Sequence, residues 1–338
     1  MSSTSKHYNI PIFIPEMACP FRCIYCNQQK ITGIKSLPDE NDITEIIESH
    51  LKTIDYYNAF VEIAFFGGNF TGIDLAEQEK ILYNVQKYIH SGQVKSIRIS
   101  TRPDYINKEV LSILKKYNVK TIELGIQSID DEVLEASGRK YSSKTVIEVS
   151  KLINDSGFDL CLQMMIGLPE DTLEKSLKTA QSIVNCGASM TRIYPLLVIK
   201  DTPLEDLYNK GLYKPLSLDE AVLWVREIYK VFLINNVKVL KMGLHPSEDL
   251  INGSGVIAGP FHPSFAEFVF TSLWDEKFKK LEPDLKKCIK IFVNAKDYNH
   301  AIGYNAVNKK MLASQFKNAK FNIDNKLEML NYYVEYLC

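Results

Sequence analysis

The chain reads as an α/β protein built on parallel strands, and three observations predict this. Apolar runs of strand length alternate with amphipathic runs of helix length, about every 30–40 residues. Each apolar run stops at a turn residue. The chemically unusual residues gather at those stops rather than being spread along the chain.

Taken in order, residues 10–15 (Ile10-Pro11-Ile12-Phe13-Ile14-Pro15) are long enough for one buried strand. Past Pro38-Asp39-Glu40, a helix start, Ile43, Ile46, Ile47 and Leu51 share one helical face. Residues 61–66 read as a strand halted by Gly67-Gly68, and 75–90 as a helix. Residues 96–101 form the next strand, stopped by Arg102-Pro103; a helix over 108–117 and a strand over 121–126 follow. Residues 142–156 read as a helix with Gly157 in the C-cap position. Residues 158–166 give a strand ending at Gly167-Leu168-Pro169, and 172–185 a helix. Residues 191–198 read as a sixth strand, 218–234 as a strong helix and 237–240 as one more short strand. Such βα units curl into a barrel or lie as an open doubly wound sheet, and in both the active site lies at the C-terminal strand ends.

The pattern changes near Gly243, where glycines and prolines accumulate (Gly253, Gly255, Gly259-Pro260, His262-Pro263). A boundary there divides residues 1–244 from a small α+β domain over 245–338. The small domain is expected to hold a helix over 265–278, a strand over 288–293, two short helices flanking Gly303 and a final helix over 327–337.

With 338 residues, 46% apolar and 24% charged, the chain has ordinary globular usage and room for a sizeable core. A net charge of −1 supplies no global field for nucleic acid or anionic membrane, although a local basic patch remains compatible with it. The polar first residues do not resemble a signal peptide, and no apolar run reaches the roughly 18 residues of a membrane span. Seven cysteines without a framework pattern fit a reducing compartment, so a cytoplasmic protein without a membrane partner is expected.

Three of those cysteines, Cys19, Cys23 and Cys26, fall within eight residues directly after the first strand. That is too dense for ordinary apolar packing, and disulfide pairing leaves one over. Structural zinc wants four ligands, and Cys161, Cys186, Cys288 and Cys338 lack paired spacing. A [4Fe–4S] cluster held by three thiolates keeps one iron open to an outside ligand. The iron–sulfur reading leads, with zinc retained as the alternative.

The spacing Cys19-x-x-x-Cys23-x-x-Cys26 at the top of the first strand of a parallel βα array resembles the radical S-adenosylmethionine (SAM) superfamily. The resemblance runs from Ile10 to about Met242 and implies a partial (β/α)6 TIM-like barrel. It also implies SAM chelated at the open iron, and reductive cleavage to a 5′-deoxyadenosyl radical. It assigns the cluster to Cys19, Cys23 and Cys26, and the SAM amino group to Gly67-Gly68-Asn69, where Asn69 replaces the acid often found. A ribose contact falls to Ser100, a SAM contact to Gln127 and the SAM carboxylate to Arg139. Gln163 takes the place of an acidic ribose ligand, and Met165 with Ile166 would line the adenine slot. Arg102 and Glu123 would support the pocket, and Phe21 and Tyr25 would shield the cluster.

Thr101-Arg102-Pro103-Asp104-Tyr105, Glu123 to Ser128, Tyr194 to Thr202 and Leu207 to Tyr213 are similar to the radical domain of the Elongator catalytic subunit. That family modifies wobble uridine in transfer RNA with acetyl-CoA. The chain ends too early for the acetyltransferase domain of that family and its cysteine spacing is shorter than the Elongator one, so the resemblance does not extend to the same acetyl transfer, and the radical step with a different substrate is what it implies. An RNA substrate and a flavodoxin- or ferredoxin-type electron donor are implied, with Tyr194 and Lys200 as candidate substrate contacts. The Gln127–Arg139 pair and Gly167-Leu168-Pro169 are also similar to relatives of oxygen-independent coproporphyrinogen oxidase, which makes a tetrapyrrole or other small molecule the second reading. A non-catalytic, zinc-stabilised RNA-binding or adaptor protein is the reading from a different class. Around Gly303 a faint likeness to a KH-type RNA loop lacks its second glycine, Ala306 standing in that place, and helix–turn–helix packing is the simpler account. His245, Glu248 and His262 are either a segment closing the barrel or loop residues beside prolines.

Overall fold

The computed structural model describes residues 6–15, 19, 23–27, 36–244 and 255–337. Its main sheet has seven strands, all parallel: β1 (Lys6–Ile14), β2 (Ala59–Gly67), β3 (Ser96–Thr101), β4 (Val119–Gln127), β5 (Asp159–Ile166), β6 (Met190–Pro195) and, after the two-residue β7 (Val198–Ile199), β8 (Lys238–Met242). The strands neighbour one another in chain order with β1 and β8 at the edges. Without a reversal of order there is no doubly wound switch point, and the sheet curls into a half-barrel. The partial barrel is therefore borne out, and the short strand expected near residue 240 is its seventh stave.

Helices α1 (Glu40–Leu51), α2 (Leu75–Asn84), α3 (Gln86–His90), α4 (Lys108–Lys116), α5 (Asp131–Ala136), α6 (Ser143–Asp155), α7 (Leu173–Asn185), α8 (Pro203–Asn209) and α9 (Leu218–Ile234) connect the strands. Local chemistry sets their ends. Asp39 accepts from the backbone of Asn41 and Asp42 while Asp42 returns a carboxylate to the Asp39 N–H, a capping box that starts α1. Ser217 and Glu220 do the same for α9. In β1, Ile10, Ile12 and Ile14 are buried on the helix side, toward α1, and contribute about 1.5–3 kcal/mol each. Their alternates Asn9, Pro11 and Phe13 face the barrel interior.

Two expected elements differ. The 75–90 helix breaks at Val85 into α2 and α3. The sixth strand ends at Pro195, opposite Ile166, where β5 itself turns away through Gly167 at φ +73°. With no neighbour left to pair, the chain passes Leu196 and Leu197, and β7 pairs antiparallel with β9 (Val256–Ala258).

A second core lies beyond. α10 (Phe265–Phe278) joins the two: Phe265, Val269 and Leu273 belong to the barrel core, whereas Trp274 and Phe278 pack with Ile289, Ile291, Val293 and Phe316. That core is roofed by β10 (Asp284–Val293) between β11 (Phe316–Ile323), parallel, and β12 (Tyr332–Leu337), antiparallel. The expected final helix is thus strand β12. Tyr332, Val334 and Tyr336 alternate with Tyr333 and Glu335 there, and pairing with β10 decides the conformation. α11 (Tyr298–Ile302) and α12 (Val307–Gln315) flank Gly303 as expected. Gly303 (φ +83°) is wedged against Thr271 and Asn308, and Thr271 Oγ1 accepts from the Tyr304 N–H, so this turn is packed on α10 rather than open for RNA. His262 makes edge contacts with Phe268 and Tyr304. Phe21, His245 and Glu248 lie outside the described residues. No described helix is long and apolar enough to cross a membrane.

The closest backbone approach is at the end of β2. The Gly68 N–H donates to Ile14 O at 2.8 Å, and a Cβ on Gly67 or Gly68 would sit 2.4 Å from Ile14 O or 2.5 Å from Pro15 O. These glycines are required by the chain that leads into the cysteine segment. Gly67→Ala, strained further by φ +101°, should lower urea-unfolding stability by about 2–4 kcal/mol. An unchanged midpoint would show that this approach is not under constraint.

Candidate active site

One cavity of about 620 Å³ opens at the C-terminal strand ends, a size suited to a cofactor-sized ligand. Cys19, Cys23 and Cys26 line one side. The Cys26 N–H donates to Cys23 O at 3.1 Å, closing a turn, and Ile24 ties it down through Ser137 O (3.2 Å) and the Leu204 N–H (2.9 Å). Asn27 Nδ2 donates to Lys200 O at 3.3 Å. Cys23 and Tyr25 are buried in a small apolar cluster with Val133, Leu168, Leu196 and Leu204. Among the described residues no three His, Cys, Asp or Glu side chains converge at metal-binding distance, so the thiols share a wall without closing on one point. Cys161, Cys186 and Cys288 do not line this cavity, and burial pushes the Cys161 thiol well above its ordinary range.

Two guanidinium groups face the same space. Arg102 is clamped by both oxygens of Asp104 at 2.9 Å, and Arg139 Nη2 donates to Gly125 O at 2.9 Å. Both lie over the Tyr141 ring, at 5.4 and 5.5 Å. The Tyr141 hydroxyl donates to Gly125 O at 2.9 Å; burial, opposed by these two cations, pushes it up to about 12, so it stays neutral. A bulge between Gly125 and Gln127, with Gln127 at φ +62°, brings Gln127 into the cavity beside Gln163, whose Nε2 donates to it at 2.9 Å. A Cβ on Gly125 would meet that Gln127 amide at 2.8 Å.

The structure brings together Gly67, Gly68, Ser100, Gln127, Arg139, Gln163, Met165, Arg102, Glu123 and Tyr194 around the cavity with the three cysteines. Three of the expected residues do not line the cavity. Asn69 is fully buried and off the cavity wall; its Oδ1 accepts from Thr101 Oγ1 and the Arg102 N–H, so it fixes the end of β3. Ile166 is fully buried and also off the wall. Lys200 follows β7, is exposed and lies outside the cavity, because the strand carrying Tyr194 ends at Pro195. Its segment has another role: its carbonyl holds Asn27, and Thr202 caps α8, whose Leu204 holds Ile24.

The sequence reading missed the floor. Arg98, 2% exposed, reaches Glu62 at 2.9 Å and Glu123 at 3.5 Å, and Arg192 reaches Glu123 at 3.0 Å. Arg192 and Lys241, register partners on β6 and β8, line the cavity with Asn9. The alternation of Arg192 with Tyr194 was the available signal. Burial pushes the Tyr194 hydroxyl up to about 12, although Arg192 beside it opposes this.

Four buried polar atoms of residues that line the cavity, Ser100 Oγ, Arg102 Nη1, Arg139 Nε and Tyr25 OH, make no hydrogen bond among the described residues. Such groups are costly unless a ligand meets them. Donors and cations facing three thiols suit a ligand carrying carboxylate and hydroxyl groups beside an anionic metal cluster, so donor type and place fit the cofactors the sequence implied.

A thiol-walled cavity at the mouth of a parallel half-barrel defines a cofactor-dependent α/β enzyme. The sequence signature of the radical SAM superfamily matches residues 15–183, half of the chain, and that of the radical SAM C-terminal domain matches residues 188–275. The chain belongs to the radical SAM superfamily and is an enzyme, which sets aside the zinc-stabilised adaptor. It is 28% identical over 182 residues to a tRNA uridine(34) acetyltransferase of Methanocaldococcus infernus, covering 48% of this chain and 34% of that protein. It is 27% identical over 242 residues to the heme chaperone HemW of Bacillus subtilis, covering 68% and 60%. The solved archaeal Elp3 of Methanocaldococcus infernus, lacking its N-terminus, shares the fold with a TM-score of 0.64 at 20% identity, over 81% of this chain and 64% of that one. The chain spans between about a third and two thirds of the length of these relatives.

The turn after β5 carries a titratable brace. Asp171 accepts from the Gly167 N–H (2.9 Å) and Ser176 Oγ (2.8 Å) through one oxygen; the other is buried without a partner. Burial raises its pKa from 3.8 to about 6, the hydrogen bonds opposing. A raised folded-state value means its stabilising contribution is complete below the unfolded value and lost as pH rises through about 6. Asp171→Asn should therefore flatten the stability–pH curve between about pH 4 and 7, by on the order of 1–2 kcal/mol. Parallel curves for the two proteins would refute the assignment.

Proposed function

We propose that Cys19, Cys23 and Cys26 hold a [4Fe–4S] cluster, that the cavity beside them holds SAM, and that the enzyme acts on RNA, with transfer RNA as substrate. The observation that carries the cofactor reading is the cavity whose lining brings three thiols together with Arg102, Arg139 and a set of hydrogen-bonding side chains. When bound, the cluster supplies the electron, and SAM the 5′-deoxyadenosyl radical, for hydrogen abstraction. The chain's own residues then have distinct tasks. Arg139, already fixed by Gly125 O, offers its guanidinium to the SAM carboxylate. Ser100 Oγ, Gln127 and Gln163 offer hydrogen bonds to the ribose and amino groups, and Gly67 and Gly68 shape the wall between them and the cysteines. Met165, Leu196 and Leu197 keep the wall apolar and dry. Tyr194, a neutral phenol at neutral pH, stands deeper in the cavity toward the substrate side.

The RNA preference rests on the relatives named for transfer RNA modification. A tetrapyrrole is the second reading, favoured by the longer share of the chain matched by the heme chaperone. An anaerobically reconstituted, reduced sample should hold about four irons per chain and cleave SAM. Cys23→Ala should abolish both, and Arg139→Gln should keep the iron but weaken SAM binding about tenfold or more. Full iron and SAM cleavage in the Cys23 variant would reject the cluster assignment. Nucleoside mass spectrometry of transfer RNA from a deletion strain should show one lost modification; an unchanged profile together with altered porphyrin content would move the reading to a tetrapyrrole.

A further inference from the structure

The three-stranded sheet of the C-terminal region has two faces, and the described residues cover only one of them. Ile289, Ile291 and Val293 of the central strand β10 point to the second core. The alternates form the other face in three cross-strand rows set by register: Cys288 with Asn318 and Leu337, Lys290 with Lys320 and Glu335, Phe292 with Asn322 and Tyr333. Phe292 and Tyr333 stack face to face at 4.6 Å and 8°. Neither belongs to a hydrophobic cluster of the described residues, and Tyr333 is 40% exposed. Lys320 and Asn318 are exposed, and Lys290 is half-exposed on the central strand. Residues 284–337, which carry this sheet, hold nine lysines against five acidic residues, in a chain whose net charge is −1. The sequence reading allowed for a local basic patch; two of these lysines, Lys290 and Lys320, stand on this face, with Glu335 in their row.

A stacked aromatic pair on an open sheet, in a row next to two lysines, is poorly explained by packing. It matches what a single-stranded nucleic acid needs. Unpaired bases stack on aromatic rings whatever their identity, at about 1–3 kcal/mol per base, while lysines beside the rings meet the phosphates. Amide side chains such as Asn318 and Asn322 can hydrogen-bond base edges. The face is mixed rather than apolar: Cys288 and Leu337 lie at one end, Glu335 shares the lysine row and Asp324 accepts from the Tyr333 hydroxyl at 3.4 Å, so a partner buried by apolar contact alone fits it poorly, and a duplex would hide the base faces that the rings can use. We infer that the open face of the β11–β10–β12 sheet binds a single-stranded stretch of RNA, with Phe292 and Tyr333 as the stacking platform and Lys290 and Lys320 as the phosphate contacts. The inference deepens the proposed action on RNA and rests on it.

The test is fluorescence anisotropy of the full chain with a labelled anticodon stem–loop, an unstructured strand of the same composition and a blunt RNA duplex. The wild-type protein should bind the two probes with unpaired bases and bind the duplex at least tenfold more weakly. Lys290→Ala with Lys320→Ala should weaken binding at least tenfold and flatten the salt dependence by about 1.4 in log–log slope, two single-strand phosphate contacts. Tyr333→Ala, an exposed position that the fold tolerates, should weaken binding at every salt without changing the slope. Reductive cleavage of SAM without RNA should be unchanged in all variants, which shows that they are folded. If the wild-type protein binds the stem–loop and these variants bind it equally well, the platform is wrong while the RNA reading stands. If the wild-type protein binds none of the probes, both fail.

Discussion

Two guanidinium groups over one tyrosine ring set the character of the cavity. Arg102 and Arg139 repel each other, and the arrangement persists because Asp104 clamps one, Gly125 O holds the other, and Tyr141 lies under both. Two cations kept this close, mostly out of water, demand negative charge in front of them. The three thiols on the same wall supply it once ionised on a metal, and a carboxylate-bearing ligand would complete the balance. The polar atoms left without partners are the counterpart of that demand.

The barrel beneath is built to hold this wall still. Gly67 and Gly68 let the end of β2 touch the backbone of Ile14 and Pro15 at the end of β1. Asn69 then fastens the start of Arg102 from behind. Below them, the Glu62–Arg98–Glu123–Arg192 chain of ion pairs fills the floor with paired charge in place of water. Removing one member would strand its neighbours in a low-dielectric interior, so the network specifies a single arrangement of β2, β3, β4 and β6 more than it adds stability. From the other side, the turn at Asp201 (φ +61°) and the capped α8 hold Ile24 and Asn27. The segment from Lys200 to Leu204 thus braces the described residues of the cysteine loop.

Much of this was legible in the sequence, for physical reasons that can be named. Strand–helix alternation reports backbone periodicity, and it gave the parallel sheet and its seven strands, the short one near residue 240 included. Three clustered cysteines, and the pair Gln127 and Arg139, carry chemistry that spacing exposes. Other features depend on tertiary partners that no local pattern encodes. The strand through Tyr194 ends because β5 stops beside it, which removed Lys200 from the cavity. Residues 332–337 become a strand because β10 is there to pair with, although their aromatic and β-branched alternation hinted at it. Glycines 67 and 68 were recognised as constrained, but the atoms that constrain them belong to β1. Arg98 and Arg192 looked like ordinary polar alternates of strands until the sheet curled them onto Glu123.

The central claim is that the wall of three thiols leaves one metal position open to a ligand held by Arg139 and its neighbours. Electron paramagnetic resonance of the reduced, anaerobically reconstituted protein, recorded with and without SAM, addresses it directly. The account predicts a [4Fe–4S] signal whose g values shift when SAM is added. A signal of full intensity that is identical with and without saturating SAM would contradict it.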